Sequence, residues 1–158
     1  MPASLLTAHL ELMPRTRDEV LADIAAMTAN DKGQLSPIWL ARLAVSAVVD
    51  PWVHGFSLVQ RGSDTVVGSC GFKGPPADGS VEIAYGVSPE QRNRGYATEA
   101  AAALVTYAFE RADVRVVRAH TLPNSTASQR VLEKCGFEHV GELIDADDGL
   151  VWRFEKRK

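Results

Sequence analysis

The sequence predicts an α/β fold in which helices cover the faces of a mixed sheet. The apolar pattern is helical in the first third, alternates like strands from Gly55 to Val87, and then switches between the two. Turns rich in glycine and proline separate these segments. The predicted order of elements is β-α-α-β-β-β-α-β-α-β-β, which is typical of a layered α/β domain.

The first third is predicted to hold one strand and two helices. Leu5–Leu12 is a short apolar run that indicates a strand. Thr16 and Glu19 have the spacing of a capping box, which predicts a helix start. Ser36–Pro37 predicts a second start, because serine is a good N-cap and proline suits the first helical position. Asp50–Pro51 is expected to end this second helix.

The middle of the chain is predicted to form three strands. Gly55–Gln60 and Thr65–Phe72 are strand-like runs joined by a short polar turn, which indicates a hairpin. A loop at Gly74–Gly79 leads to a third strand, Ser80–Val87.

The last part alternates helix and strand and closes on a hairpin. The predicted elements are a helix over Ala97–Arg111, a strand over Val114–Thr121, a helix over Ser125–Lys134 and two strands, Phe137–Leu143 and Leu150–Glu155, joined by a turn at Asp145–Gly149. Gly136 is the expected C-terminal cap of the shorter helix. No domain boundary is visible, so one domain over residues 1–158 is expected.

Composition excludes several broad classes of function. A net charge of -3 argues against general nucleic-acid binding. Cys70 and Cys135 are isolated and the four histidines lie far apart, so no metal site is expected. His9 and Glu11 interrupt the only candidate signal-peptide core, and no apolar run is long enough to span a bilayer. A cytoplasmic protein without membrane contact is the expectation.

The segment EQRNRGYATEA, residues 90–100, indicates an anion site at the start of a helix. A helix N-terminus carries unpaired backbone N–H groups and partial positive charge. Gly95 lets a ligand approach the backbone, and Arg92 and Arg94 add positive charge. The turn therefore predicts binding of a phosphate or pyrophosphate. The alternative is a surface turn whose arginines are solvated.

Three segments together resemble the GNAT superfamily of N-acetyltransferases. Residues 92–97, RNRGYA, resemble its Gln/Arg-x-x-Gly-x-Gly/Ala acetyl-CoA signature. VEIAYGVSP at 81–89 resembles the family's fourth strand. ASQRVLEKCGFEHVGE at 127–142 resembles a segment beside the cofactor in the branch that acetylates ribosomal-protein N-termini. The resemblance implies a mixed, mostly antiparallel sheet of about seven strands flanked by about four helices.

The resemblance also implies a binding site for acetyl-CoA, the acetyl donor. Backbone amides of the turn would hold the pyrophosphate, and main-chain groups at the end of the central strand would pair with the pantetheine arm. The implied cofactor residues are Tyr85, Gly86, Val87, Arg92, Asn93, Arg94, Gly95, Tyr96, Ala97, Thr98, Asn124 and Ser128. Asn124 lies four residues before Ser128, where the family has three, so helix capping is an equal alternative for Asn124.

Two side chains are candidates for the chemistry that the resemblance implies. Glu82 shares a strand face with the small Ala84 and Gly86, which leaves room for a ligand, and we predict that it manages the proton of the attacking amine. The alternative is a structural carboxylate paired with an arginine. The backbone N–H at or near Val87 is the implied oxyanion donor. Ser128 is the candidate proton donor to the thiolate, because Leu132 stands where many relatives have a tyrosine.

The predicted function is acetyl transfer from acetyl-CoA to a primary amine, by direct attack in a ternary complex. The amine acceptor is a small molecule or a protein N-terminus, and the resemblance leaves a homodimer open. The alternative is a module of the same fold that binds coenzyme A without turnover.

Overall fold

One eight-stranded sheet runs through the structure, a computed structural model that describes residues 2–33, 35–146 and 148–158. The strands are β1 (Leu5–Leu6), β2 (Leu10–Pro14), β3 (Phe56–Gln60), β4 (Val66–Phe72), β5 (Ser80–Val87), β6 (Val116–Thr121), β7 (Glu138–Asp145) and β8 (Gly149–Arg157). The helices are α1 (Arg17–Ala26), α2 (Ala29–Gly33), α3 (Pro37–Val45), α4 (Pro51–His54), α5 (Tyr96–Phe109) and α6 (Thr126–Lys134), with a 3-10 turn at Pro89–Gln91.

The sheet is mixed and mostly antiparallel, as predicted. Its strand order is β1-β2-β3-β4-β5-β6-β8-β7, and β5 with β6 is the parallel pair. The described residues form more elements than the sequence predicts, with eight strands in place of about seven and six α-helices in place of about four. The predicted turn at Asp145–Gly149 includes Asp147, which lies outside the described residues.

The first predicted strand is a hairpin in the structure, so the single-strand prediction for Leu5–Leu12 is wrong. Leu5 of β1 lies opposite Leu12 of β2, and the chain reverses between them. Glu99 of α5 stabilises this turn, because its carboxylate accepts hydrogen bonds from the Thr7 hydroxyl and from the His9 backbone N–H. Local sequence patterns do not show this long-range contact.

The predicted helix starts are confirmed, and two short helices are additional. Thr16 and Glu19 form the capping box of α1, and Ser36 accepts a hydrogen bond from the Trp39 N–H at the start of α3. Asp50–Pro51 begins a helix as well as following one, because the Asp50 carboxylate caps α4 through the Trp52 N–H. The added elements are α2 and α4.

The main core lies between the sheet and the α5–α6 side. Phe56, Cys70 and Tyr85 are cross-strand partners on the face that α5 covers. Their neighbours Ser57, Ser69 and Gly86 therefore lie on the opposite face of the sheet. A second small core joins α1, α3 and α4 through Val20, Leu43 and Val53.

The two central strands separate halfway along their length. In the described pairing, β5 and β6 are in register from Ser80 with Val116 to Glu82 with Arg118, and each strand then continues without the other. β6 stays paired with β8 as far as Thr121, while β5 stays paired with β4 as far as Val87. The result is a wedge-shaped gap beside the second half of β5.

Backbone groups of β5 point into this gap at alternate residues. The Ser88 N–H donates to the Val67 oxygen (2.8 Å) and the Glu82 oxygen accepts from the Lys73 N–H (2.9 Å), so the even-numbered positions face β4. Successive residues of a strand direct their N–H and C=O groups to opposite sides. Tyr85 and Val87 therefore direct theirs into the gap.

His54 is a buried histidine whose neighbours hold it neutral. Its Nδ1 accepts the Asp50 backbone N–H (3.0 Å), so the ring proton is on Nε2, which donates to Ser46 Oγ (2.8 Å). The Ser46 hydroxyl in turn donates to the Leu43 oxygen (2.7 Å). Burial lowers the pKa of His54, the nearby Asp50 charge opposes this, and Arg15 and Arg17 lower the pKa further.

His54 should therefore make the fold sensitive to acid. A histidine whose pKa is lower in the folded state contributes stability above its unfolded pKa, and this contribution is lost as the pH falls. We expect wild type to lose stability from pH 8 to pH 5 and His54→Gln to lose less over the same interval, although the variant is less stable at pH 8 by roughly 1–3 kcal/mol. Urea unfolding at both pH values measures this, and an equal acid loss in the two proteins would contradict it.

Candidate functional site

A groove of about 860 Å³ occupies the gap beside β5. It is formed by the end of β5, the turn that follows, and the first turns of α5 and α6. Its lining residues are Tyr85, Gly86, Val87, Gln91, Arg92, Asn93, Gly95, Tyr96, Ala97, Thr98, Asn124, Ser125, Thr126, Ala127, Ser128, Arg130, Val131 and Lys134. The sequence-predicted cofactor residues are all among them except Arg94. The volume is within the range of small-molecule sites.

The turn before α5 presents bare backbone to the groove. Asn93 and Gly95 have φ angles of 65° and 81°, in the left-handed region that glycine and asparagine adopt most readily. Gly95 is the N-cap of α5 and makes no side-chain capping bond, and a Cβ added to it would have open space around it. The N–H groups of the first turn of α5 are therefore free to bind a ligand.

A second helix start faces the same groove. α6 begins at Thr126, and its N-cap Ser125 also makes no side-chain capping bond. The Asn124 oxygen accepts the Thr126 N–H (3.0 Å) through the main chain, so the Asn124 side chain does not cap the helix in this structure. Because two helix N-termini converge here, their partial positive charges add at one place.

Three cationic side chains add to this positive potential. Arg92, Arg130 and Lys134 line the groove, and within the described part of the chain no carboxylate lines it. Arg94 is exposed and lies outside the lining, so the structure does not bring it to the site. Sequence reasoning missed Arg130 and Lys134. Their signal was the four-residue spacing, which places both on one face of a helix.

Tyr96 contributes to the groove through its backbone alone. Its ring is buried, and its hydroxyl accepts a hydrogen bond from Gln60 Nε2 (3.2 Å) under the sheet. Together with Ala100 and Leu104 it belongs to the main core, so the same helix that presents its N-terminus to the groove is held by apolar packing.

A second cavity, of about 620 Å³, lies on the other face of the sheet. Its lining residues are Arg15, Glu19, Ala22, Asp23, Ser57, Val66, Gly68, Ser69, Gly86, Val87 and Ser88. Gly86 and Val87 also line the groove, so the end of β5 is shared by the two spaces. A Cβ on Gly86 would meet nothing within 4 Å, so this glycine keeps the junction open.

Glu82 is held by two partners and lies outside both linings. Lys73 Nζ and His120 Nδ1 each lie 2.9 Å from the same carboxylate oxygen, Oε2. Burial would raise the pKa of Glu82, but the His120 hydrogen bond and the Lys73 charge outweigh burial and lower it. The partners are a lysine and a histidine, where the structural alternative had named an arginine.

Tyr85 and Ser128 meet across the groove. The Tyr85 hydroxyl lies 3.4 Å from the main-chain oxygen of Ser128, to which it donates. Burial raises the pKa of Tyr85 to about 12, which exceeds the opposing effect of that hydrogen bond. Leu132, one turn further along α6, is fully buried, so it offers the groove no polar group.

A family comparison assigns the chain. The sequence model of the Acetyltransferase (GNAT) domain matches residues 8–138. The chain belongs to the GNAT acetyltransferase family. The resemblance that three short segments indicated is therefore confirmed over most of the sequence.

Individual relatives agree with this GNAT assignment over shorter stretches. The chain is 34% identical over 89 residues to the uncharacterized N-acetyltransferase YjdG of Bacillus subtilis, covering 56% of this chain and 51% of the relative. It is 31% identical over 91 residues to the uncharacterized N-acetyltransferase p20 of Bacillus licheniformis, covering 57% and 51%. The chain thus aligns with about half the length of these curated relatives.

Solved structures share the fold of this GNAT domain. A GNAT-family acetyltransferase from Bacillus anthracis matches with a TM-score of 0.71 at 19% identity, over 98% of each chain. RimL, a ribosomal alpha-N-protein acetyltransferase in complex with coenzyme A, matches with a TM-score of 0.68 at 17% identity, over 97% of this chain and 96% of that one. The fold prediction is confirmed.

Two surveys of the GNAT domain concern other classes of site. No group of three or more His, Cys, Asp or Glu side chains in residues 2–33, 35–146 and 148–158 could hold a metal ion. Across the same residues, no helix combines the length and apolarity that crossing a membrane requires. Cys70 and Cys135 are both free thiols.

The turn before α5 can be tested by filling it. In Gly95→Trp we expect loss of measurable coenzyme A affinity, because the indole would occupy the space above the free N–H groups. Gly62→Trp is the matched control, since Gly62 has a similar φ of 83° and open space but lies in the β3–β4 turn. Each variant should lose about 1–2 kcal/mol of stability to backbone strain. Calorimetric binding that is equal in the two folded variants would rule out this turn.

Proposed function

We propose that this GNAT domain transfers an acetyl group from acetyl-CoA to a primary amine, by direct attack of the amine in a ternary complex. The observation that carries the proposal is the pair of spaces that share Gly86 and Val87. One space is lined by helix N-termini and cations, and the other contains carboxylates. A thioester carbon at the junction would be accessible from both faces of the sheet.

The groove would hold the donor from its phosphates inward. The N–H groups of Gly95 to Thr98 suit the pyrophosphate, and Arg130 and Lys134 are placed to bind phosphate oxygens. The main-chain groups of Tyr85 and Val87 that point into the gap would pair with the pantetheine amides. Gly86 directs its main chain to β4, so its contribution is open space.

The second cavity would admit the amine. Glu19 and Asp23 give it two carboxylates against one guanidinium, which favours a cationic ligand. Arg15 is already engaged, since its Nη1 lies 2.5 Å from Asp23 Oδ2 and its Nε donates to the His54 oxygen (3.0 Å). The Val87 N–H, which points into the gap, would stabilise the oxyanion as the amine attacks.

Binding and turnover test this function separately. We expect calorimetry to show that acetyl-CoA binds while ATP and NAD do not, because the groove matches an extended thioester arm as well as a diphosphate. Release of free thiol is then measured with a panel of small amines and N-terminal peptides. Binding of ATP in preference to acetyl-CoA would overturn the cofactor assignment. Binding without thiol release for every amine would favour the non-catalytic module.

Glu82 is proposed to take the amine proton through a water molecule. Both of its partners bind Oε2, and its lowered pKa keeps the carboxylate ionised at neutral pH. A general base acts when it is unprotonated, so this group would limit the rate on the acidic side of the profile.

Removing this carboxylate should slow turnover and spare donor binding. For Glu82→Gln we expect kcat to fall by about 100-fold, with loss of the acidic limb of the pH–rate profile and unchanged acetyl-CoA affinity. Glu155→Gln is the control, since Glu155 pairs with Arg118 on the same sheet region. Steady-state kinetics from pH 5 to pH 9 measure both. A pH–rate profile in Glu82→Gln that matches wild type removes Glu82 from the mechanism.

A further inference from the structure

Tyr85 is placed where a departing thiolate would need a proton. It follows Ala84 and precedes Gly86 in β5, and its ring lies on the α5–α6 face while Gly86 opens towards the second cavity. The groove therefore reaches the junction from the side of Tyr85, and the second cavity reaches it from the opposite side.

This arrangement separates the two partners of the reacting carbon. In aminolysis of a thioester, the nitrogen approaches one side of the carbonyl carbon, and the sulfur leaves towards the side from which the donor extends. The sulfur is bonded to the carbon at the junction, so it lies beside the residue that borders the junction on the groove side. Among the groove residues, Tyr85 carries an O–H group at this position.

We propose that the Tyr85 hydroxyl protonates the thiolate of coenzyme A as the carbon–sulfur bond breaks. This inference rests on the proposed function and adds a residue to it. The hydroxyl has one described acceptor, the Ser128 oxygen, at a distance of 3.4 Å that makes a weak hydrogen bond. Because this bond is weak, a small rotation of the hydroxyl can direct its proton to a sulfur in the groove.

The protonation state of Tyr85 suits a donor. Burial raises the pKa of its phenol to about 12, so the group keeps its proton throughout the neutral range. A thiol has a pKa near roughly 8.5, which makes the thiolate a weaker base than the phenolate in water. Tyr85 therefore acts by stabilising the sulfur through a hydrogen bond as charge develops, and transfer is completed as the phenolate recovers a proton from solvent.

The step balances. The amine nitrogen forms a bond to the acetyl carbon, and the carbon–sulfur bond breaks with its electron pair on sulfur. Sulfur receives the Tyr85 proton, and the phenolate takes one proton from solvent. The nitrogen loses one proton, to Glu82 through water or directly to solvent, so the products are the amide and free coenzyme A thiol.

Ser128 is the competing donor, since its side chain lines the same groove. The two candidates are separated by one hydrogen bond, but they lie on different elements, β5 and α6. Single substitutions therefore distinguish them. Tyr85→Phe removes only the hydroxyl, and Ser128→Ala leaves the main-chain oxygen that Tyr85 contacts.

The experiment measures kcat and acetyl-CoA affinity for wild type, Tyr85→Phe, Ser128→Ala and Tyr107→Phe. Tyr107 is the matched control, because its ring packs on Trp52, Phe56 and Phe72 and does not line the groove. We expect Tyr85→Phe to lower kcat about 100-fold with unchanged affinity, and the other two variants to stay near wild type. A fluorinated tyrosine at position 85, whose phenol is more acidic, should bring an alkaline loss of kcat towards neutral pH. A purely structural role would not produce this loss.

Each contrary result has a distinct meaning. If wild type turns over and Tyr85→Phe matches it, Tyr85 is not the donor, although the acetyltransferase function stands. If Ser128→Ala loses kcat and Tyr85→Phe does not, Ser128 is the donor. An alkaline limb that is unmoved by fluorination leaves Tyr85 a packing role and overturns the proposal. If wild type binds no acetyl-CoA, the proposed function fails and this inference fails with it.

Discussion

The separation of β5 from β6 after Glu82 is the constraint on which the site depends. Up to that residue the strands form a continuous parallel pair, and beyond it each keeps only its other neighbour. An unpaired strand edge inside a protein leaves backbone donors and acceptors that need partners. The groove supplies the space for such a partner, and the N-termini of α5 and α6 border the same space. Sheet geometry therefore determines both where a ligand lies and which backbone groups it meets.

Side-chain size at the end of β5 then divides the site into two faces. Gly86 has no side chain to close the junction, and Gly68 allows β4 to approach, since a Cβ there would lie 2.1 Å from the Gly86 oxygen. Tyr85 occupies the groove side of the same strand. Because alternate residues of a strand face opposite sides, three consecutive positions provide a hydroxyl, an opening and a backbone N–H. A bulge at this point would exchange these roles, and the register with β4 is regular from Gly68 to Phe72.

The sequence predicted the elements whose signals are local, and it missed those that depend on distant contacts. Capping residues and glycines located the starts of α1, α3 and α5, and the resemblance located most of the groove. The hairpin at Leu5–Leu12 depends on Glu99, a residue far along the chain, so its local pattern resembles a single strand. The ion pairs of Glu82 with Lys73 and His120 likewise join three strand regions. Arg130 and Lys134 had a readable helical spacing, but their direction depends on how α6 packs.

Opposite charge on the two faces explains how a chain with a net charge of -3 can bind an anionic donor. The groove gathers Arg92, Arg130 and Lys134 around two helix N-termini, whereas the second cavity contains Glu19 and Asp23 with Arg15. Fields of opposite sign separated by one strand would favour a polyanion on one side and a cation on the other. The amine must lose its charge before it attacks, so a cavity that attracts the cation also needs a nearby proton acceptor. Glu82, ionised and fixed through one oxygen, is the described carboxylate in β5 itself, and this gives the strand a second role beside positioning the thioester.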